Sequence, residues 1–283
     1  MKLTSWRTAL LGATVCAALV AVPTANVAAD DAKTAQGTAP SFEKFEATTY
    51  RDTDGAYVVN GDEALHTVES LRDYYDRMTG ASSDATGTGT GTPSNGLIVN
   101  TTGGRDDKWT ASQARNLTYC VSNNFGTRKT TVVNAMAQGA ALWENASSGV
   151  NFTYVSSQDG SCRTRNTSVT FSVEPTTSTS YIARAFFPSY PKSQRNVLVN
   201  SSSLTTSGWS PANILGHELG HVLGFRHEHT RPESGACFED NNWRPLTPYD
   251  SASIMHYPQC NGTSSSLSFT TRDGQGLRSL YGS

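Results

Sequence analysis

Eleven residues constrain this chain more than all the others: His217-Glu218-Leu219-Gly220-His221-Val222-Leu223-Gly224-Phe225-Arg226-His227. On a helix, His217 and His221 stand one turn apart on the same face, so both imidazoles reach a single tetrahedral ion. Glu218 falls beside that ion and not on it, where a general base can take a proton from zinc-bound water without using a coordination position. Gly224 tolerates the left-handed backbone that a sharp helix exit needs, and the turn then brings His227 back as a third ligand. Three protein nitrogens leave a fourth position for water, which separates a catalytic zinc from a closed structural one. Whatever the fold, it must bury one face of this helix and keep the other for the metal.

The flanking residues agree. Ser210 is placed to cap the helix, Pro211 suits its first position, and Leu215, Leu219 and Val222 form an apolar stripe. Three solvated histidines around an ordinary amphipathic helix would account for neither Gly224 nor the clustering, since five of the six histidines lie between His217 and His256. His229 and His256 are expected to stand behind the ligands or face solvent, because catalytic zinc takes three protein ligands.

A third histidine six residues past the second, with a glycine midway and Ser253-Ile254-Met255-His256-Tyr257 downstream, resembles the metzincin zinc proteases. His227-Glu228-His229-Thr230-Arg231 and the methionine turn are similar to those of astacins. By that resemblance Tyr257 stabilises the tetrahedral intermediate after swinging off the metal, and Met255 packs beneath the site. The runs Thr118-Tyr119-Cys120, Cys237-Phe238-Glu239-Asp240 and His256-Tyr257-Pro258-Gln259-Cys260-Asn261-Gly262 resemble the secreted bacterial dual-action HEIGH peptidases. Leu219 stands where that family's motif has isoleucine. Ala185-Phe186-Phe187-Pro188 echoes the matrixins, with Arg184 where they carry a structural-zinc histidine, so a second zinc of that kind is not expected. The implied fold is α+β: a metzincin-type domain with a twisted sheet and helices above the cleft and an irregular subdomain below.

Lys and Arg total 22 against 24 Asp and Glu, a balance that advertises neither nucleic acid nor an acidic membrane as partner. Residues 1–29 read as a secretory signal, with Lys2 and Arg7 ahead of an apolar run from Ala9 to Val22 and a Val27-Ala28-Ala29 cleavage site. Once Cys16 leaves with the signal, Cys120, Cys162, Cys237 and Cys260 remain, an even number in an exported chain. Of the three connectivities, Cys120–Cys162 with Cys237–Cys260 is favoured, because the second bridge ties the loop after His227 to the segment after the methionine turn.

Residues 30–80 read as a pro-region with helical spacing from Ala64 to Met78 and a strand-like Tyr57-Val58-Val59. Residues 81–107 begin in a low-complexity Gly, Thr, Ser and Ala tract and read as a flexible linker. Residues 108–283 form the zinc metalloprotease domain. Within it the pattern gives strands at 117–121, 150–155, 168–173, 182–187 and 196–200, a long helix over 127–147, and a closing helix over 275–281. The strand at 181–187 either offers its edge to an extended peptide or is buried. Val59-Asn60-Gly61-Asp62 resembles the element by which astacin pro-segments place an aspartate on the zinc; the residues alone leave open a simple Asn-Gly-Asp turn.

The expected protein is a secreted, monomeric zinc endopeptidase made as a zymogen. It acts on protein or peptide substrates with Zn2+ on His217, His221 and His227, Glu218 as general base and Tyr257 as oxyanion donor. The competing readings are a zinc amidase on cell-wall peptides and a catalytically idle secreted binding protein. Both would share the same scaffold.

Overall fold

A computed structural model describes residues 39–80 and 97–283. The expected signal, residues 1–29, and most of the expected linker, residues 81–96, lie outside the described residues. In chain order the elements are α1 (Phe42–Thr48), β1 (Tyr50–Arg51), β2 (Tyr57–Val59), β3 (Glu63–Leu65), α2 (Val68–Thr79), β4 (Ile98–Thr102), β5 (Arg105–Asp106), α3 (Ala111–Ala114) and β6 (Leu117–Val121). They continue with α4 (Lys129–Glu144), β7 (Phe152–Tyr154), β8 (Phe171–Pro175), β9 (Ala183–Arg184), β10 (Asn196–Val199), α5 (Ser203–Thr206), α6 (Pro211–Val222), β11 (Trp243–Pro245) and α7 (Thr271–Tyr281). Helices and strands mix without alternating regularly, and the chain is α+β as expected. Among the described residues no helix is long and apolar enough to cross a membrane.

Residues 39–80, within the expected pro-region, fold on a small core of their own, built from Phe42, Phe45, Tyr57, Val59, Leu65, Leu71 and Tyr74. Helix α2 is framed by conventional signals: Thr67 accepts from Ser70 N at its start, and Gly80 takes a left-handed φ of 72° at its end. It begins later than its spacing predicts, because residues 63–65 are drawn into a hairpin with β2, turned through Asn60 and Gly61 at φ 56° and 95°. Local helical periodicity lost there to strand pairing.

In the main domain a five-stranded sheet runs β7-β6-β8-β10-β9, parallel except for β9, which pairs antiparallel with β10 at one edge. That edge ladder is much shorter than the strand expected over 181–187. Phe186 and Phe187 go into the core instead. The disulfide Cys120–Cys162 pins β6 to the loop after β7, and Cys237–Cys260 closes the loop beyond His227. Both are the favoured pairs.

Residues 97–107 do not behave as linker. Leu97, Ile98 and Val99 are fully buried, β4 pairs with β11 and β5, and Asn100 N and Ile98 O bond the backbone of Gly224 and Arg226. Three apolar residues behind a Gly and Thr tract are too short a run to announce a strand. Its partner, Trp243–Pro245, lies far along the chain, so only tertiary pairing makes it one.

Helices α4 and α6 pack face to face over the sheet. A Cβ on Gly139 would lie 2.7 Å from Gly216 N and 3.0 Å from Ala212 O, so the two backbones are in contact there. Trp143 fills the adjacent space: its Nε1 donates to Gly216 O at 2.8 Å, and its ring stacks on Phe225 with centroids 5.2 Å apart. Gly139→Ala is therefore expected to lower stability by about 1–3 kcal/mol through overpacking against backbone that cannot yield. The exposed neighbour Gln138→Ala should change it little. Urea unfolding of both variants checks this, and a Gly139→Ala chain as stable as the unmutated one would contradict the packing argument.

Candidate metal centre

Helix α6 starts at Pro211 as expected, but Ser210 makes no side-chain capping bond. Leu215, Leu219 and Val222 are fully buried, which turns His217 and His221 towards the cleft. The helix ends at Gly224, whose φ is 95°. A side chain there is excluded twice over, since a Cβ would sit 2.1 Å from Asp107 O. The turn closes with Gly224 N on His221 O and Phe225 N on Gly220 O, and His227 then faces the helix again.

Each imidazole is fixed from behind. His217 Nδ1 donates to Ile254 O at 2.7 Å and His221 Nδ1 to Phe225 O at 2.8 Å. His227 Nδ1 lies 2.6 Å from Glu239 Oε1. Carbonyl oxygens only accept, so these bonds put the protons on Nδ1 and aim the Nε2 lone pairs at one another. His217 Nε2 and His227 Nε2 are 3.2 Å apart. Ligands held at about 2.0–2.1 Å around a tetrahedral ion stand about 3.3 Å from each other. His221 Nε2 is buried without a hydrogen-bond partner, as a nitrogen reserved for a metal would be.

The fourth vertex is held by a carboxylate from the N-terminal unit, residues 39–80. Asp62 Oδ2 stands 3.1, 3.5 and 3.3 Å from Nε2 of His217, His221 and His227, which is ligand-to-ligand spacing and not ion-to-ligand distance. The Tyr257 hydroxyl donates to the same oxygen, and Gly61, with its φ of 95°, lies against the Tyr257 ring. Burial pushes His221 down to about 4. Burial also works against His227, but Asp62 and Glu239 outweigh it and hold the pKa well above the ordinary range. Asp62, His217, His221 and His227 together form a group that could hold a metal ion.

Glu218 is buried beside this cage with Oε2 lacking a hydrogen-bond partner. Burial, with the Asp62 carboxylate adding to it, holds its pKa well above the carboxylate range. Tyr257 stacks on His217 with centroids 5.3 Å apart. Met255 lies below: a Cβ on Gly220 would come within 2.3 Å of its sulfur, and its carbonyl accepts from Glu228 N at 2.8 Å. The turn is anchored by Asp273, which accepts from Ser253 Oγ at 2.5 Å and from Ile254 N at 3.0 Å.

The structure thus gathers His217, Glu218, His221, His227, Tyr257 and Asp62 in one place. His229 and His256 stand behind the ligands, and neither faces solvent. His229 is buried, stacks on His227 with centroids 4.6 Å apart and accepts from Tyr257 N. His256 is buried against the Tyr249 hydroxyl at 2.8 Å. The sequence reading gave no role to Glu239, although it quoted the run that contains it. Glu239 orients His227 and is itself held by Arg226 at 3.0 Å, which also binds Asp240 at 2.5 Å. An acidic pair after a cysteine carries no spacing rule that would have disclosed this.

Comparison with known proteins bears on the same residues. The model of the dual-action HEIGH metallo-peptidase family matches residues 109–281, a span that holds all three histidines, Glu218, Glu239 and Tyr257 and leaves Asp62 outside. High choriolytic enzyme 2 of Oryzias latipes is 39% identical over 19% of this chain and 25% of its own length. High choriolytic enzyme 1 of the same organism is 38% identical over 19% and 26%. The chain thus spans about a quarter of the length of these curated relatives. The structure of myroilysin aligns with 65% of this chain and 98% of its own, at 19% identity and a TM-score of 0.45.

Proposed function

This chain belongs to the dual-action HEIGH metallo-peptidases, and from that premise we propose that it is a secreted zinc endopeptidase of the metzincin type, held latent by its own pro-region. The observation that carries the reading is the spacing of four buried ligand atoms, three histidine nitrogens and Asp62 Oδ2, as the vertices of one tetrahedron. His217, His221 and His227 would hold the ion, with Asp62 standing where the reacting water must stand in the active enzyme. Protein or peptide chains are the substrates that the family implies. Two disulfides suit an oxidising compartment.

Zinc bound there supplies Lewis acidity, polarising the scissile carbonyl and bringing the pKa of a bound water towards about 7. The remaining work falls to side chains of this chain. Once Asp62 has left, one source of the upward pressure on the Glu218 pKa goes with it, and the freed carboxylate takes the proton of the attacking water. Glu218 then passes that proton to the departing amine nitrogen as the peptide bond breaks. The Tyr257 hydroxyl, which donates to an anionic oxygen of Asp62 in the latent form, turns the same bond to the carbonyl oxygen as that oxygen becomes negative. Glu239 and the carbonyls of Ile254 and Phe225 keep the three imidazoles aimed throughout. Because these partners are already in place, no ligand has to be reoriented during turnover.

Two experiments test this reading. In the proteolytically activated enzyme, Glu218→Ala should reduce casein hydrolysis by about 10²- to 10⁴-fold while metal analysis still finds one zinc per chain. Loss of the zinc, or near-normal hydrolysis, would remove Glu218 from the role of base. For latency, intact full-length Asp62→Ala, its integrity checked by mass spectrometry, should hydrolyse casein where the intact unmutated chain does not. Equal latency in both would leave Asp62 as no more than a turn residue.

A further inference from the structure

Beside the metal cage, the pro-region makes a second buried contact that the proposed chemistry does not use. Arg184 is fully buried on the edge strand β9. The next residue, Ala185, bridges in parallel to Glu63, which follows Asp62 at the metal cage. Arg184 therefore lies on the wall along which a chain in the cleft passes, one residue from the point where the pro-segment meets it. Its Nε lies 3.0 Å from Asp52 Oδ2 and its Nη2 lies 2.5 Å from Asp54 Oδ2. Tyr181 donates its hydroxyl to the same Asp52 oxygen. Both carboxylates belong to the pro-region.

Arg226, the other buried arginine that touches the pro-region, behaves differently. It shares Glu63 at 3.5 Å but has Glu239 at 3.0 Å and Asp240 at 2.5 Å from the main domain. When the pro-region departs, Arg226 stays paired. Arg184 does not, because among the described residues no carboxylate of the main domain pairs with it, and its Nη1 has no hydrogen-bond partner even now. What remains is a guanidinium on the cleft wall with the Tyr181 hydroxyl 3.3 Å from its Nε. These are two donors already converging on one carboxylate oxygen.

We propose that Arg184, assisted by Tyr181, is a specificity-determining residue that receives an acidic side chain of the substrate near the scissile bond, in the place that Asp52 and Asp54 fill in the latent chain. The proposal rests on the peptidase reading above and adds to it a substrate class, peptides carrying Asp or Glu at one fixed position. A guanidinium fork matches a carboxylate in geometry as well as charge. An unpaired cation at a partly buried wall discriminates against neutral and basic side chains as much as it attracts acidic ones.

The test uses the full chain, folded intact, cleaved between residues 80 and 97 and then separated from the released N-terminal piece, its removal checked by mass spectrometry, acting on a proteome-derived peptide library. Asp and Glu should be enriched at a single position relative to the cut. In Arg184→Gln, the ratio of kcat/KM for the best acidic peptide to that for its Asn or Gln counterpart should fall by about tenfold or more. Arg184→Glu should shift the preference at that position towards Lys and Arg. Arg184→Lys keeps the charge and should retain part of the acidic preference, and zinc content with both disulfides intact shows that each variant has folded. Cleavage by the unmutated enzyme without acidic enrichment overturns the proposal alone, as does enrichment that survives in Arg184→Gln and Arg184→Glu. An unmutated enzyme that cuts no peptide in the library overturns the peptidase reading, and this proposal with it.

Discussion

Two glycines decide how closely α4 and α6 can approach. Gly139 and Gly216 bring main chain against main chain, where any side chain would hold the helices apart. The remaining geometry follows from that contact. With α6 pressed onto α4, Trp143 can reach Gly216 O, and its ring closes over Phe225 at the helix exit. One turn further along the same face Gly220 leaves room for the sulfur of Met255, whose carbonyl holds Glu228 and so places His227 next door. The methionine turn thus acts through shape and through its backbone: Ile254 O orients His217, Met255 O holds Glu228 N, and Tyr257 N donates to His229. A tetrahedral ion tolerates little error in its ligands, and here the tolerance is set by residues that have no side chain at all.

Around this frame the buried charges form one connected group. Glu239 serves His227 and His229 on one side and Arg226 on the other, while Arg226 also holds Asp240. Breaking any of these pairs would strand a buried charge, which costs about 3–5 kcal/mol, so the group holds together as a unit. Residues 39–80 reach the same network through Arg77 to Asp240 at 3.1 Å and Glu63 to Arg226 at 3.5 Å. Burial pushes Glu63 up to about 6; Arg226 opposes this, and Glu239 and Asp240 add to it. Of the three carboxylates on Arg226, Glu63 is the farthest, and Glu239 and Asp240 hold Arg226 without it.

The site was legible in the sequence because metal chemistry dictates spacing. Two imidazoles that share an ion must sit one turn apart, the base must be adjacent, and the exit must be a glycine. Each requirement is local, and His217, Glu218, His221, Gly224 and His227 could be read from one short segment. Parts of the site that depend on distant segments were not legible in this way. Glu239 reaches His227 only because the loop closed by Cys237–Cys260 folds back, and Asp62 arrives from a different folding unit. The same distinction separates the fold's successes from its failures. Strand 117–121 and helix α4 announce themselves by apolar spacing. By contrast β4 exists because Trp243 to Pro245 come alongside it, and β3 because a left-handed Asn60-Gly61 turn folds residues 63–65 onto β2. Ser210 has the right residue type for a cap and makes no such bond, so residue type alone does not make a cap there.

The burial of residues 97–99 in the main domain has a consequence for the latency proposed above. Leu97 belongs to the core and Gly80 closes the last helix of the unit that carries Asp62, so a cut between residues 80 and 97 would break none of the described contacts at the histidine cage, at Arg184 or at Asp240. On the proposed reading it would convert an intramolecular equilibrium into one between two molecules, and the fraction of free enzyme would then depend on how far the products dilute. Release into a large volume would complete the activation that proteolysis begins. In a confined space the severed pro-region would go on inhibiting, so that activity would follow distance from the source.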